Sequence, residues 1–65
     1  MQLTINGQQA DVPAKTLDEL LLLLGHTDRW FAVALDGMHV PRDVWSNTEL
    51  REFQVVEILS PMQGG

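Results

Sequence analysis

The segment TLDELLLLLG, residues 16–25, contains signals for both ends of an α-helix. Thr16 is a favourable N-cap, and Glu19, three residues later, completes a capping box. Asp18 and Glu19 also stabilise the positive end of the helix dipole, and Gly25 suits the left-handed position that ends a helix. We therefore predict one short, well-delimited helix.

Four leucines of this helix recur at the i, i+3, i+4, i+7 spacing of a single helical face, and they are Leu17, Leu20, Leu21 and Leu24. Leu22 and Leu23 lie off this face, and we expect them to pack under neighbouring loops. The chain has 65 residues and no cysteine, so no disulfide stabilises it and its core is necessarily small. The leucine face therefore needs a β-sheet to cover it.

Strands are predicted on both sides of the helix. QLTI alternates polar and apolar residues, and Asn6–Gly7 is a strong signal for a two-residue hairpin turn, so residues 8–12 should return as a second strand that ends at Pro13. FAVAL, residues 31–35, is apolar on both faces, which is typical of a central strand, and Asp36–Gly37 predicts another turn.

The C-terminal half continues with a helical turn and a last strand. Pro41 suits the start of one helical turn, and Trp45 is predicted to fold back as a lid on the core. FQVVEIL, residues 53–59, is the last predicted strand. Val56 and Ile58 fall on one face of that strand, and Val55, Glu57 and Leu59 fall on the other.

The order hairpin, helix, strand, short turn, strand predicts an α+β fold of the β-grasp (ubiquitin-like) type. A mixed sheet of four to five strands would carry one main helix across it. The predicted domain comprises residues 1–59, and residues 60–65 are expected to form a flexible C-terminal tail that ends in Gly-Gly. The sheet face under the helix is predicted to consist of Leu3, Ile5, Val33, Leu35, Val56 and Ile58.

Charge and motifs exclude several classes of function. The net charge of −5 and the scattered positions of four basic residues argue against binding to nucleic acid or to an anionic membrane. No signal peptide is recognisable, and the leucine run is far shorter than a membrane span, so we expect a cytoplasmic protein.

Catalytic and metal-binding patterns are also missing from the sequence. His26 and His39 have no metal-ligand spacing and are expected to be ordinary surface histidines, and no bound cofactor is predicted. Four aromatic residues are expected to serve in core and lid packing, and they are Trp30, Phe31, Trp45 and Phe53. We predict that the chain is not an enzyme.

The last two residues, Gly64 and Gly65, offer a different chemistry. A glycine carboxylate has no substituent on its α-carbon, and two glycines in a row form a slim segment that accepts φ of either sign. Such a tail can thread a narrow channel, which suits a carboxylate that must reach the interior of another enzyme. Diglycine directly after a β-grasp domain is a stronger signal than diglycine alone.

Over essentially its whole length the chain resembles the ThiS family, the small sulfur carriers of thiamin thiazole biosynthesis. The matching segments are INGQ, TLDELL, FAVALDG, HVPRDVW and VVEILSPMQGG. The Val-Pro-Arg and Trp of HVPRDVW favour this family over the MoaD family, the related small subunit of molybdopterin synthase. The chain departs from the family where Asp36 replaces a common Asn and where Glu52–Phe53 replaces a common Gly-Asp pair.

The resemblance implies a mechanism in which the chain is the substrate of partner enzymes. A ThiF-type adenylating enzyme, which would hold ATP and Mg²⁺, would activate the Gly65 carboxylate, with Gly64 in its channel. A persulfide sulfur donor protein would convert the adenylate to a thiocarboxylate, and thiazole synthase (ThiG-type) would receive the sulfur. We expect Val55, Leu59 and Met62 to form part of an apolar patch that docks on the adenylating enzyme and on thiazole synthase.

Three alternatives remain open at the level of sequence. A MoaD-like subunit would use the same thiocarboxylate in molybdopterin synthase. A ubiquitin-like modifier would join Gly65 to lysines, and a non-covalent β-grasp interaction module would leave the tail inert.

Overall fold

In a computed structural model of the chain, residues 1–25 and 31–59 are described. Within these residues the chain forms five strands, one α-helix and one 3-10 helix. In chain order they are β1 (Gln2–Ile5), β2 (Gln8–Asp11), α1 (Leu17–Leu23), β3 (Ala32–Leu35), β4 (Met38–Val40), the 3-10 helix (Arg42–Asn47) and β5 (Val55–Leu59).

The five described strands form one mixed sheet in the order β2-β1-β5-β3-β4. β5 lies in the centre, parallel to β1 and antiparallel to β3. The β1–β2 and β3–β4 pairs are antiparallel hairpins on either side of it. The predicted mixed sheet with one main helix is confirmed, and the last strand in the chain is the one that joins the two hairpins.

Both predicted hairpin turns are present. Asn6 and Gly7 have φ values of +49° and +83°, and Asp36 and Gly37 have values of +51° and +84°. Two successive residues with positive φ define a type I′ turn, which matches the right-handed twist of the flanking strands. Asn and Asp tolerate this region better than most residues, and for that reason they precede the glycines.

The side chains of these two turns also bind the central strand. The Asn6 side-chain oxygen accepts a hydrogen bond from the backbone N–H of Ile58 at 2.8 Å. The Asp36 carboxylate accepts one from the backbone N–H of Val55 at 2.9 Å. Each turn therefore closes its own hairpin and satisfies a backbone donor of β5 near one of its ends.

The helix begins at Leu17 after the Thr16 N-cap, as the sequence predicts, and its last residue is Leu23. The capping box is present, and the Glu19 carboxylate also accepts the backbone N–H of Lys15 at 2.8 Å. Gly25 follows the C-cap with φ of +86°. Leu24 itself is 40% exposed, contrary to its predicted place on the buried face, because the helix ends at Leu23 and Leu24 occupies the C-cap.

The prediction for Leu22 and Leu23 was wrong. They are 62% and 57% exposed rather than packed under loops. α1 buries only the face that meets the sheet, and these two leucines lie on its opposite side. With Pro13 and Ala14 they line a shallow surface groove.

The core lies between α1, the sheet and the 3-10 helix. Of the predicted sheet face, Ile5 is half-buried and the other five residues are buried. Among the described residues, the buried apolar set is Leu3, Ala14, Leu17, Leu20, Leu21, Val33, Leu35, Trp45, Leu50, Val56 and Ile58.

Trp45 covers one end of this core, as predicted. Its indole N–H donates to the backbone carbonyl of Val40 at 2.9 Å. Its ring stacks on Phe31 at a centroid distance of 5.2 Å. The Arg42 guanidinium lies 4.8 Å from the Trp45 ring and 5.4 Å from the Phe31 ring, within the range of cation–π attraction.

Phe53 does not pack in the core or in the lid, so its predicted role was wrong. β5 begins at Val55 rather than at residue 53, because a turn precedes it. Phe53 lies in that turn with φ of +69° and a side chain that is 74% exposed. The strand after the Glu52–Phe53 pair is nevertheless regular. Trp30 and His26 lie outside the described residues.

Candidate docking face and tail attachment

The outward side of β5 presents the apolar residues that the sequence predicts for docking. Val56 and Ile58 point into the core, and the alternation of the strand sends Val55 and Leu59 to the other side of the sheet. These two side chains are 41% and 67% exposed, so neither is covered by a neighbouring strand or loop. Met62, the third predicted docking residue, lies outside the described residues.

Small neighbours on β3 leave this side of β5 open. Ala32 lies opposite Leu59 and Ala34 lies opposite Glu57 in the antiparallel register. A methyl group does not cover a leucine or glutamate side chain across a strand pair, where the β-carbons are about 4.5–5.5 Å apart. Leu59 and Glu57 are therefore exposed beside β3, whose outward side chains opposite them are the methyl groups of Ala32 and Ala34.

The charge of this outer face is negative. Among the described residues, the five strands contain no Lys or Arg. Glu57 lies on the outer side of β5 by the alternation of that strand. Asp11 on β2 lies on the same side of the sheet, because it is paired with Gln2, whose side chain is on the side opposite Leu3. The Asp11 carboxylate forms an ion pair with the Met1 amino group at 3.2 Å, which offsets its charge, so Glu57 supplies the negative charge of this face. An apolar patch beside the Glu57 carboxylate favours a partner with apolar groups and a basic group.

Leu59, the residue that precedes the predicted tail, belongs to a strand that is paired on both sides. Backbone hydrogen bonds join it to both neighbours, from the N–H of Asn6 to the carbonyl of Val56 at 2.9 Å and from the N–H of Asp36 to the carbonyl of Val55 at 2.8 Å. Gly64 and Gly65 lie outside the described residues. Their attachment point, Leu59, is the last residue of the central strand.

Metal and membrane features can be assessed for residues 1–25 and 31–59. This part of the chain contains no cluster of three or more His, Asp or Glu side chains able to hold a metal ion. His39 is exposed on β4, as predicted. In the same ranges no helix has the length and apolar character needed to cross a membrane.

The sequence matches the model of the ThiS family over residues 3–65. This chain belongs to the ThiS family. The solved structure of the thiamine biosynthesis protein ThiS from Geobacter metallireducens is similar, with a TM-score of 0.84, 30% sequence identity and 100% coverage of both chains. No curated protein sequence gives a significant match.

Membership in the ThiS family confirms the resemblance stated from the sequence, and the ThiS neighbour confirms the β-grasp fold. Both findings support the role of a small sulfur carrier in thiamin biosynthesis, a carrier rather than an enzyme. For this ThiS-family chain the sequence pattern located Val55 and Leu59 on an exposed face. It missed Phe53, whose exposed ring lies in the turn that precedes β5.

Proposed function

We propose that the carboxylate of Gly65 is the group that carries sulfur in this ThiS-family protein. The observation that supports this most directly is that the family match extends through Gly65, six residues beyond the end of β5. A fully extended chain spans at most about 3.3–3.6 Å per residue, so six residues would span up to roughly 20 Å beyond Leu59. That length lets the folded domain remain outside a partner while the carboxylate enters its active site.

The chemistry begins with activation of an unreactive carboxylate. A carboxylate oxygen of Gly65 attacks the α-phosphorus of ATP on a ThiF-type adenylating enzyme, and pyrophosphate leaves. The terminal sulfur of a protein persulfide then attacks the acyl carbon and displaces AMP. A second thiol reduces the resulting S–S bond and releases the Gly65 thiocarboxylate, whose sulfur passes to thiazole synthase (ThiG-type).

In this scheme ATP and Mg²⁺ are held by the adenylating enzyme. The contribution of the carrier is a tail without side chains at its end. Gly64 keeps the channel free of a β-carbon and allows φ of either sign. We place the reaction in the cytoplasm, where ATP is available. The domain comprises residues 1–59, and residues 60–65 act as its tail.

Docking on the partners is assigned to the outer face of β5. Val55 and Leu59 supply exposed apolar surface directly before the tail, and Met62 would extend it. The adenylating enzyme and thiazole synthase would use the same face in turn, because both must receive the same terminus.

Intact mass spectrometry tests the proposal. The chain is incubated with the adenylating enzyme from its own source, ATP, Mg²⁺ and a persulfide donor. We expect the mass gain that corresponds to the replacement of one oxygen by sulfur. Deletion of Gly65 should abolish this gain because the new carboxylate stops about 3.3–3.6 Å short of the α-phosphorus, and attack requires reacting atoms within about 3–3.5 Å.

The deletion has an internal control in the stability of the domain. Since the tail follows β5, the deletion variant should melt at the wild-type temperature. The Gly64→Ala variant should also be impaired in sulfur loading and should keep the wild-type melting temperature. Normal ATP–pyrophosphate exchange by the Gly65 deletion variant would refute the proposal. Conjugates to lysines would instead indicate a ubiquitin-like modifier, and a thiocarboxylate consumed only by molybdopterin synthase would indicate a MoaD-like subunit.

A further inference from the structure

Phe53 combines two features that are each unfavourable in a small domain. Its φ of +69° lies in the left-handed region, where a bulky side chain is an outlier. Its side chain is 74% exposed, so burial in the core does not offset the backbone cost. Residues held in such conformations occur preferentially at binding and catalytic sites.

Hydrogen bonds hold the Phe53 turn in place. The Phe53 N–H donates to the Gln2 carbonyl at 2.6 Å. The Glu52 carboxylate accepts the backbone N–H of Gln2. Within the turn, the Arg51 N–H donates to the Gln54 side-chain oxygen at 2.8 Å. The ring is therefore presented from a backbone that is fixed to β1 before any partner arrives.

The Phe53 ring lies beside the outer face of the sheet. It lines a surface recess together with Gln2, Leu3, Thr4 and Gln9. Thr4 is paired with Gln9 on β2 and with Val55 on β5, so these three residues share the side opposite the helix. The Phe53 side chain therefore adjoins the outward-facing side chains of β5, the first of which is Val55.

We propose that Phe53 is an aromatic anchor for the adenylating partner. This inference rests on the proposed function and extends its docking face beyond Val55 and Leu59 to the edge of β1. The partner surface that fits it has an apolar recess for the ring and, next to it, an Arg or Lys side chain. That cation would enter the recess lined by Gln2 and Gln9, where Glu52, whose carboxylate accepts the Gln2 N–H, supplies negative charge.

Binding energetics favour this role for a preorganised ring. A few aromatic or arginine side chains supply most of the affinity of a typical interface. Because the backbone is already fixed, binding has to restrict only the two side-chain torsions of Phe53. Among the described residues, the outer face otherwise offers aliphatic and polar side chains, so Phe53 is its largest apolar group.

The test compares variants that separate the ring from the backbone conformation. Phe53→Asn removes the ring but accepts positive φ readily, so its melting temperature should stay at least at the wild-type value and rise by up to about 4–8 °C. Its Kd for the adenylating enzyme, measured without ATP by calorimetry, should be about tenfold weaker, which equals about 1.4 kcal/mol. Phe53→Tyr retains the ring and should bind within about twofold of wild type.

A matched surface control is Leu22→Ala, which removes an exposed apolar side chain from the helix side of the domain. Its Kd for the same enzyme should be unchanged. If Phe53→Asn binds as tightly as wild type, or if Phe53→Tyr loses as much affinity as Phe53→Asn, the anchor role is overturned.

The proposed function fails by a different result. At saturating adenylating enzyme, Phe53→Asn should still be converted fully to the thiocarboxylate, because its tail is intact. Wild-type protein that binds the enzyme but is never loaded would refute the sulfur-carrier chemistry and leave the Phe53 comparison valid. Wild-type protein that does not bind the enzyme would refute both.

Discussion

Leu21→Ala should remove a large part of the stability of the domain. The Leu21 side chain is 2% exposed on the sheet-facing side of α1. Truncation loses the transfer free energy of three carbon groups, at about 0.8 kcal/mol each, and leaves a cavity, so the total cost is about 2.7–5 kcal/mol. A 65-residue chain has about 3–10 kcal/mol in all, at roughly 0.05–0.15 kcal/mol per residue.

Urea denaturation monitored by far-UV circular dichroism and tryptophan fluorescence measures this loss. With an m-value of about 1 kcal/mol/M, the midpoint should fall by roughly 2.7–5 M, or the variant should be unfolded without urea. The next residue supplies the control, because Leu22 is 62% exposed in the same helix. Leu22→Ala makes the same chemical change and should shift stability by no more than about 0.5 kcal/mol. Equal midpoints for the two variants would refute the helix orientation described above.

Two further predictions concern the docking face and the turn that binds β5. Leu59→Asp should weaken binding to the adenylating enzyme at least about tenfold, because a charge would be desolvated in the interface. Its melting temperature should stay near the wild-type value because Leu59 is exposed. Unchanged affinity in calorimetry would show that Leu59 is not part of the interface. Asn6→Ala should lose about 1–3 kcal/mol in urea denaturation, because it removes the acceptor of the Ile58 N–H and replaces a residue that tolerates positive φ with one that tolerates it less well. Asn6→Asp keeps both the acceptor and the tolerance of positive φ, so a loss as large as that of Asn6→Ala would argue against the hydrogen bond.

Much of the fold was predictable because its signals are local. The capping residues of α1 and the Asn6–Gly7 and Asp36–Gly37 dipeptides act within a few residues of chain, and all of them appear as predicted. The alternation in β5 correctly assigned Val56 and Ile58 to the core and exposed Val55 and Leu59. Family membership followed from segments spread over the whole chain.

The errors arose where tertiary contacts override a local pattern. Leu22 and Leu23 have the composition of core residues, but a single helix on one sheet face buries only one side. Leu50 is buried without any periodic signal, since it is positioned by a hydrogen bond from its N–H to the Lys15 carbonyl at 2.8 Å. Phe53 was assigned by residue type alone. Its exposure results from the turn that its N–H forms with β1, which no local spacing encodes.

The central position of β5 also affects how the chain folds during synthesis. β1 and β3 both pair with β5, so neither pairing can be completed until residue 59 has been synthesised. Such long-range pairing makes folding slow relative to a helical bundle. A chain that stops before Val55 lacks Val56 and Ile58 in its core, so it should stay unfolded and be exposed to proteolysis. A chain that stops before β5 should therefore not accumulate as a folded competitor for the partner enzymes, whereas a chain that lacks only Gly65 keeps β5 and should fold normally.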